Sequence, residues 1–375
     1  MIPQFINAEN NELRPFAEMW MGTHGSAPSQ VFVNNTNLPE DLKNICGELS
    51  FLLKLIAVEK PLSIQAHPNK EQAEEGFKRE EELGLSINAP TRNYRDTNHK
   101  PEILCAITPV KLMAGFSEPE KICESLKEFS SGSAAAEDII NPLIDSLKTG
   151  SLSLFFRTLN NISGTEQECL HSYINDKTDN SADGLIKDEQ WKLMKQLACL
   201  YPDDSAVLSP LYLNYITIQP GQAVFIPAGV LHAYVSGFGI ELMTSSDNVL
   251  RGGLTPKHID INELMNILKF EPFTVQVISP LSSENWFCYH TPCNEFTLAY
   301  MHTESEAVFQ GNCPAICIVT EGELKTADMF FNKGDSFLIA KGSEPCILKG
   351  NFSLYAAFSA GNNHKAEVTC FFEGF

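Results

Sequence analysis

Two segments of this 375-residue chain share one pattern, and this duplication constrains the fold more than any other feature of the sequence. "PGQAVFIPAGVLH" spans residues 220–232 and "KGDSFLIAKGSEP" spans residues 333–345. Gly229 aligns with Gly342, so each segment reads as a turn, a short apolar strand, a glycine turn and the next strand. This is the recurring hairpin of a jelly-roll β-barrel, and its duplication predicts two such barrels.

The rest of the sequence predicts where each domain lies. Short apolar runs bounded by turn residues fill residues 1–116 and return at residue 206, as is typical of sandwiches and barrels. Helical patterns replace them in between. We therefore expect a mainly β protein with two cupin-type barrels and a helical domain. The expected bounds are residues 1–116 with 206–270 for the N-terminal barrel, 117–205 for the helical domain and 271–375 for the C-terminal cupin-like barrel.

Local patterns predict individual helices. Ser117 and Glu120 have the spacing of a capping box, so Ser117 is expected to be the N-cap of the first helix of the insertion. A helical face is indicated further on by the spacing of four apolar residues: Ile140, Leu143, Ile144 and Leu147. The charged segment at residues 70–84 and the segment "DINELMNILKF" at residues 260–270 are also expected to be helical.

The charge of the chain restricts its partners. Its 47 acidic and 27 basic residues give a formal net charge of −20. Such a charge argues against nucleic acid or an anionic membrane surface as the main partner. A small anionic substrate is compatible with this charge, because a few lysines and arginines can reverse the local field.

The sequence also indicates the compartment. The N-terminal "MIPQFINAENNELRPF" has no signal-peptide pattern, and no apolar run approaches the roughly 20 residues of a membrane span. The eleven cysteines include no C-x-x-C pair, so we expect reduced and mostly buried thiols. A cytoplasmic protein follows as the expectation.

Three segments offer polar side chains in pairs with the period of a β-strand: "SIQAHPNK" (63–70), "HKPEIL" (99–104) and "LHAYVSG" (231–237). Residues i and i+2 share a face in a strand. Lys100 is then expected beside Glu102, and Tyr234 beside His232. Together the segments supply a candidate set of metal ligands: Gln65, His67, Glu102 and His232.

This ligand set has two imidazole nitrogens, two oxygens and one formal negative charge. It suits Zn²⁺, which accepts histidine and carboxylate ligands, although Mn²⁺, Fe²⁺ or Co²⁺ would also fit. An ion with a single anionic ligand stays strongly Lewis acidic and can polarise a carbonyl or hydroxyl group. In the duplicated segment His232 aligns with Pro345, so we expect one zinc ion per chain, in the N-terminal barrel.

Four segments in order along the chain carry a family resemblance: "EMWMGTHGSAPS", "SIQAHPNK", "NHKPEILCAITP" and "DNVLRGGLTPKHID". Together they resemble the type I mannose-6-phosphate isomerases (phosphomannose isomerases) of the cupin superfamily. The resemblance covers Met1 to about Asp260, with a helical insertion where the family has one. The C-terminal barrel resembles the family in layout rather than in motif.

The resemblance implies a role for each matching residue. It makes Gln65, His67, Glu102 and His232 the zinc ligands. It implies a catalytic set of Arg251, Lys100, Asp247 and Glu241. The sugar phosphate would also contact Trp20, Tyr234 and Lys257.

The implied activity interconverts mannose 6-phosphate and fructose 6-phosphate through a cis-enediol, in the synthesis of GDP-mannose. The reaction needs an acid–base group and stabilisation of negative charge on the substrate oxygens. Glu241 and Asp247 both remain candidates for the proton carrier, while Arg251 is expected to stabilise the enediolate. Arg251 and Lys257 are expected to bind the phosphate. The protein is expected to act as a monomer.

Two other functions remain open from the sequence. A non-catalytic metal-binding cupin that senses sugar phosphates would be expected to lack a ligand or an active-site base, and none is missing here. A metal-dependent oxygenase on a similar barrel usually uses a histidine-rich iron site, whereas only two histidines are candidate ligands here.

Overall fold

The fold is taken from a computed structural model. It describes residues 1–9, 15–33, 38–177, 184–280, 286–310, 313–327, 329–342, 345–359 and 371–373. The described part of the chain is mainly β, with two large sheets and a group of helices inserted among the strands of the first sheet, and the sequence predicts both the β character and the helices. None of its helices has the length and apolar character needed to cross a membrane. Among its cysteines none forms a disulfide bond, and Cys370 lies outside the described residues.

The first large sheet is built around one long strand, β10. The strands of this part are β1 (Glu18–Gly22), β2 (Gln30–Phe32), β3 (Pro39–Asp41), β4 (Phe51–Val58), β5 (Ile64–Ala66), β6 (Glu102–Ala106), β7 (Val110–Phe116), β8 (Leu213–Ile218), β9 (Ala223–Ile226), β10 (His232–Thr244), β11 (Leu250–Gly253) and β12 (Val277–Ile278). The main order is β1-β4-β10-β6-β9-β12. Strand β10 also pairs with β5 and β7, so it contacts every segment that carries a candidate metal ligand.

The apolar run "FLLKLIAV" forms β4 because both faces of this strand are buried. On one face, Leu53 and Leu55 pack toward the second sheet. On the other face, Ile56 and Val58 belong to a core inside the first sheet. Lys54 shares this inner face by the alternation of a strand. The sheet therefore places a lysine in its own interior.

The helices are α1 (Ile2–Phe5), α2 (Leu42–Cys46), α3 (Lys70–Glu82), α4 (Pro119–Ser130), α5 (Ala134–Thr149), α6 (Leu152–Asn160), α7 (Thr165–Asp176), α8 (Asp188–Leu200), α9 (Ser209–Tyr212) and α10 (Ile261–Ile267). A 3₁₀ turn at Ser205–Leu208 precedes α9, so the helical stretch extends beyond its expected end at residue 205. The predicted apolar face of α5 is buried in the core of the helices. The segments at residues 70–84 and 260–270, which were predicted to be helical, contain α3 and α10 and confirm these predictions.

The predicted capping box at Ser117 is wrong. The N-cap of α4 is Glu118, which makes no side-chain cap hydrogen bond, and Pro119 begins the helix. Proline is favoured in the first turn of a helix because it needs no amide donor there. Ser117 instead donates its hydroxyl to Asn214 Oδ1 at 3.1 Å, which ties the end of β7 to β8.

The second large sheet lies in the C-terminal part of the chain. Its strands are β13 (Trp286–Tyr289), β14 (Thr297–Thr303), β15 (Glu306–Gln310), β16 (Ala315–Thr326), β17 (Met329–Asn332), β18 (Ser336–Ile339), β19 (Cys346–Phe358) and β20 (Phe371–Glu373). Side chains such as Ile318 and Tyr355 pack against Leu53 and Ile240 of the first sheet. The two sheets thus share an apolar interface.

The described parts of the duplicated segments are similar in local structure, but neither segment forms a hairpin. Gly229 and Gly342 both have positive φ, at 80° and 72°. In the first copy β6 lies between β9 and β10, and in the second copy β16 lies between β18 and β19. In each copy the described strands on either side of the glycine turn pair with a third strand and not with each other, so the predicted hairpins are wrong.

Candidate active site

Three of the predicted metal ligands form one buried cluster. The Nε2 atom of His232 lies 2.9 Å from Oε1 of Glu102, and Nε2 of His67 lies 3.3 Å from Oε2. The ligand atoms all lie within 4.8 Å of one another. All three side chains are at most 1% exposed. The strands bring the cluster together because Glu102 begins β6 and His232 begins β10, while His67 follows β5.

Backbone carbonyls orient both imidazoles. Nδ1 of His67 donates to the carbonyl oxygen of Asn248 at 2.7 Å, and Nδ1 of His232 donates to that of Val230 at 2.9 Å. Because a carbonyl can only accept, each ring carries a proton on Nδ1. Each Nε2 atom then faces Glu102, and each has one longer contact at 3.5 Å, with Nζ of Lys100 for His67 and with Nε2 of Gln65 for His232. This is the usual arrangement of a histidine that ligates a metal.

The residues of the cluster fit a bound cation. Oε2 of Glu102 is buried and accepts no hydrogen bond within the described structure. Burial, together with the charge of Lys100, lowers the pKa of His67 to about 4, so this imidazole is neutral at physiological pH. A buried carboxylate oxygen facing imidazole lone pairs is costly unless a cation lies between them. Two nitrogens and a carboxylate also match the ligands that zinc prefers.

Gln65 is at the edge of this cluster. It lies opposite both His232 and Arg251 in the register of the sheet, and its Nε2 atom is 3.5 Å from Nε2 of His232. A half-turn of the amide exchanges its nitrogen and oxygen, which would present Oε1 at the same place. The structure therefore brings all four predicted ligands together.

Two further predicted residues contact the carboxylate of Glu102. The hydroxyl of Tyr234 donates to Oε1 at 2.7 Å, and Nζ of Lys100 lies 3.4 Å from Oε2. Burial and the nearby carboxylates of Glu102 and Glu241 raise the pKa of Tyr234 well above its usual value, so it stays a neutral donor. The strand spacing predicted that Lys100 lies beside Glu102, whereas the contact of Tyr234 with Glu102 was not predicted.

Glu241 belongs to a second buried pair, with a residue that the sequence interpretation missed. Lys54 lies opposite Glu241 across β4 and β10, and its Nζ is 2.9 Å from Oε2. Burial opposes the charge of Lys54, but Glu241 and Glu18 outweigh it and raise its pKa. Trp20 completes this group, since Nζ of Lys54 lies 5.1 Å from the centre of its ring. A lysine inside an apolar strand was the signal that could have revealed it.

Asp247 pairs with a histidine that also received no role from the sequence. Nε2 of His24 is 3.3 Å from Oδ1 of Asp247, and the ring of His24 packs edge-on against Trp20. Hydrogen bonding to His24 lowers the pKa of Asp247 despite partial burial. Asp247 is thus a carboxylate at physiological pH, and it lies at the end of a chain of contacts that runs through Trp20 to Lys54.

Arg251 is the least paired of the predicted catalytic residues. Within the described structure its guanidinium has no hydrogen bond or ion pair, and partial burial and the charge of Arg95 both lower its pKa. It is nonetheless close to the cluster, because it lies opposite Gln65 in the sheet. Lys257, by contrast, is exposed, and its described contact is the hydrogen bond that its backbone amide donates to Oγ1 of Thr255. The contacts therefore associate Arg251, but not Lys257, with the cluster.

The backbone after Arg251 is fastened to the helical part of the chain. The carboxylate of Asp204 accepts the amide of Leu254 at 2.6 Å and the amide of Ala206 at 2.8 Å. Gly253 has a φ of +134°, and a Cβ atom there would lie 2.3 Å from Cβ of Ala206. This lack of space explains why residue 253 is a glycine. The backbone there packs closely against Ala206, which joins the helical part of the chain to the strand that carries Arg251.

We expect Gly253→Ala to lower the thermal stability of the protein and to slow its activity without removing its metal. The backbone strain alone should cost ~1–3 kcal/mol, and relief of the contact should shift Arg251, two residues earlier. Adding Ala206→Gly to this variant removes the contacting Cβ atom and should restore part of both losses. Unchanged thermal unfolding of Gly253→Ala would contradict this account of the loop.

The fold and the cluster define a class: a β-sheet protein with a buried His-Glu-His metal site and ion-paired carboxylates around it. Residues 2–118 match the family model of the phosphomannose isomerase type I catalytic domain. The mannose-6-phosphate isomerase of Escherichia coli K12 is 32% identical to this chain, over 96% of the chain and 95% of the relative. The chain therefore belongs to the mannose-6-phosphate isomerase family.

Further relatives and solved structures agree. The mannose-6-phosphate isomerase of Homo sapiens is 33% identical over 79% of this chain and 74% of its own length. A crystal structure of the enzyme from Salmonella typhimurium, bound to its substrate fructose 6-phosphate and to zinc, matches with a TM-score of 0.82. Its identity is 30%, and the match covers 96% of this chain and 95% of that one. The similarity thus extends far beyond residue 260.

Proposed function

We propose that this protein is a zinc-dependent isomerase that interconverts mannose 6-phosphate and fructose 6-phosphate. The observation that carries the proposal is the buried carboxylate of Glu102, which faces the Nε2 atoms of His67 and His232 and has one oxygen without a hydrogen bond in the described structure. Family membership supports the reaction, and the zinc and fructose 6-phosphate of the Salmonella typhimurium structure support the ion and the substrate.

Four residues would hold the zinc ion: Gln65, His67, Glu102 and His232. When bound, the ion supplies a Lewis acid that stabilises negative charge on a substrate oxygen. Tyr234 and Lys100 support the site by fixing the Glu102 carboxylate, and Lys100 adds a positive charge at its edge. With only one anionic ligand, the site keeps a net positive charge that suits an enediolate.

The chain's own residues would move the proton and bind the anionic groups. The reaction passes through a cis-enediol, with a proton moved between C1 and C2 by either Glu241 or Asp247. Each carboxylate has a basic partner, Lys54 for Glu241 and His24 for Asp247. The unpaired Arg251 guanidinium would donate to the enediolate, while the exposed Lys257 would attract the phosphate.

The finer architecture and the cellular setting are part of the proposal. The two large sheets and their separate cores support two cupin-type barrels, with bounds of 1–116 with 206–270 and 271–375, and a helical domain at 117–205. We infer a cytoplasmic monomer that supplies mannose phosphate for GDP-mannose synthesis and that binds neither nucleic acid nor membranes. The net charge of −20 supports the last inference.

A coupled assay of mannose 6-phosphate conversion to fructose 6-phosphate tests the activity directly. Zinc-loaded protein should turn over the substrate, and protein treated with a chelator should not. Tight binding of mannose 6-phosphate without turnover would instead support the sugar-phosphate sensor. Consumption of oxygen with an iron-loaded protein would support the oxygenase. Either result would overturn the isomerase.

We expect Gln65→Leu to lower zinc affinity and turnover together while the fold survives. Leucine keeps a similar bulk but removes the amide oxygen, so a purely structural Gln65 would tolerate the change. Zinc content and thermal unfolding should be measured beside Gln222→Leu, which alters a partly buried glutamine in the turn before β9. Full zinc occupancy in Gln65→Leu would end the ligand assignment.

A further inference from the structure

We propose that Asn248 is a positioning residue for the metal site, and that it fixes His67 through a network centred on Asp96. The inference rests on the proposed metal site. Its test measures metal affinity rather than turnover, so that failure of the inference and failure of the isomerase can be told apart.

The contact to the ligand is made by the backbone of Asn248. Its carbonyl oxygen accepts the Nδ1 proton of His67 at 2.7 Å. This bond selects the tautomer with a free Nε2 atom and sets the rotation of the ring. A ligand held in this way binds its metal more tightly, because less orientational freedom is lost on binding. The position of this one carbonyl therefore controls how His67 is presented.

The side chain of Asn248 fixes that carbonyl. Its Oδ1 atom accepts the amides of Arg95 and Asp96, at 2.7 and 3.2 Å. Its Nδ2 atom donates to the carbonyl oxygens of Asp96 and Asn98, at 2.8 and 2.9 Å, and to Oδ1 of Asp96 at 3.2 Å. Asn248 is fully buried, so no water can replace these bonds without a change of structure.

Asp96 joins the two segments from the other side. Its carboxylate accepts the hydroxyl of Ser246 at 2.9 Å, the amide of Asp247 at 2.7 Å and the amide of Asn98 at 2.8 Å. The segment at residues 95–98 is thereby fastened to the segment at residues 246–248.

This network connects several parts of the site. The segment at 95–98 continues to Lys100 and Glu102, and the segment at 246–248 continues to Arg251. One asparagine thus sets the spacing between the carboxylate ligand, the imidazole of His67 and the arginine strand. Hydrogen bonds that support a metal ligand typically contribute 10–100-fold to metal affinity. The side-chain hydrogen bonds of Asn248 all go to residues 95–98, so we expect its effect on the metal to act through the backbone that positions the ligands.

The test compares Asn248→Ala with a matched asparagine, Asn214→Ala. Asn214 also binds several carbonyl oxygens, including those of Ala114 and Phe273, but touches no metal ligand. Zinc dissociation constants should be measured by competition with a chromophoric chelator, and the Co²⁺-substituted proteins by their visible absorption spectra. Asn248→Ala should weaken zinc binding by about 10–100-fold and alter the Co²⁺ bands. Asn214→Ala should lower thermal stability but leave both metal readouts unchanged.

A milder variant covers the case in which Asn248→Ala does not fold. Ser246→Ala removes the hydroxyl that binds Asp96 and accepts the amide of Asn248, and it leaves every proposed ligand in place. It should weaken zinc binding by a smaller factor in the same direction. A folded Asn248→Ala or Ser246→Ala with the wild-type zinc affinity and Co²⁺ spectrum would overturn the inference. Loss of zinc affinity in Asn214→Ala to the same extent would also overturn it.

Discussion

Arg251→Ala should keep its zinc and its thermal unfolding, while kcat falls by roughly 10²–10³-fold, as on removal of an oxyanion donor. Arg251 is not one of the proposed ligands, and within the described structure its guanidinium has no partner to leave unpaired. An arginine stays protonated at any working pH and presents a planar set of donors. A contact made mainly with the enediolate lowers kcat rather than raising KM.

Two further variants distinguish this role from general effects of charge. Lys257→Ala should raise KM with little change in kcat, because a phosphate contact is the same in the ground and transition states. Arg157→Ala, which removes an exposed arginine from α6, should change neither constant. Wild-type turnover in Arg251→Ala with zinc fully bound would show that the strand after Asn248 has no catalytic role.

Glu102→Gln should abolish zinc binding and activity together. The substitution keeps the size of the side chain but removes the only carboxylate of the ligand set. Its amide nitrogen or oxygen would also face the Nε2 atoms of His232 and His67, which lie 2.9 and 3.3 Å from the carboxylate oxygens of Glu102. Zinc affinity should fall by more than the roughly 10–100-fold that loss of a supporting residue costs. Elemental analysis of dialysed protein measures this directly.

Glu80→Gln is the matched control for this variant. Glu80 is also a buried carboxylate with a cationic partner, since Nε of Arg92 lies 3.0 Å from its Oε2 atom. Its neutralisation should lower the thermal stability, because the buried guanidinium of Arg92 loses one of its two carboxylate partners, Glu80 and Glu81. Zinc content should not change. A zinc-loaded and active Glu102→Gln protein would contradict the proposed metal site.

The alternation of side chains along a strand predicted most of the site. Gln65 and His67 share a face, and their segment contains β5, which pairs with β10 where that strand begins at His232. Strand β6, which begins at Glu102, also pairs with β10. The same spacing predicted that Lys100 lies beside Glu102 and that Tyr234 lies beside His232. Both of these placements are local along the chain, whereas the contact of Tyr234 with Glu102 depends on the pairing of β6 with β10.

Other contacts depend on pairings that the sequence does not encode locally. Lys54 meets Glu241 because β4 pairs with β10, almost two hundred residues later. Asn248 contacts Asp96 across a similar separation. The duplicated glycine turns reveal a shared conformation, but the strand that lies between their flanking strands comes from elsewhere in the chain. Periodicity gives the face of a residue, whereas sheet order decides its partner.

The most direct test of the account is the activity of metal-free protein as zinc is added back. Mannose 6-phosphate isomerase activity should be absent in the stripped protein, should rise linearly with added zinc and should reach its maximum at about one ion per chain. The aligned Pro345 removes the corresponding histidine from the second sheet, so no second equivalent should be needed. Activity that survives complete removal of metal, or a protein that binds one zinc ion and remains inactive, would contradict the account.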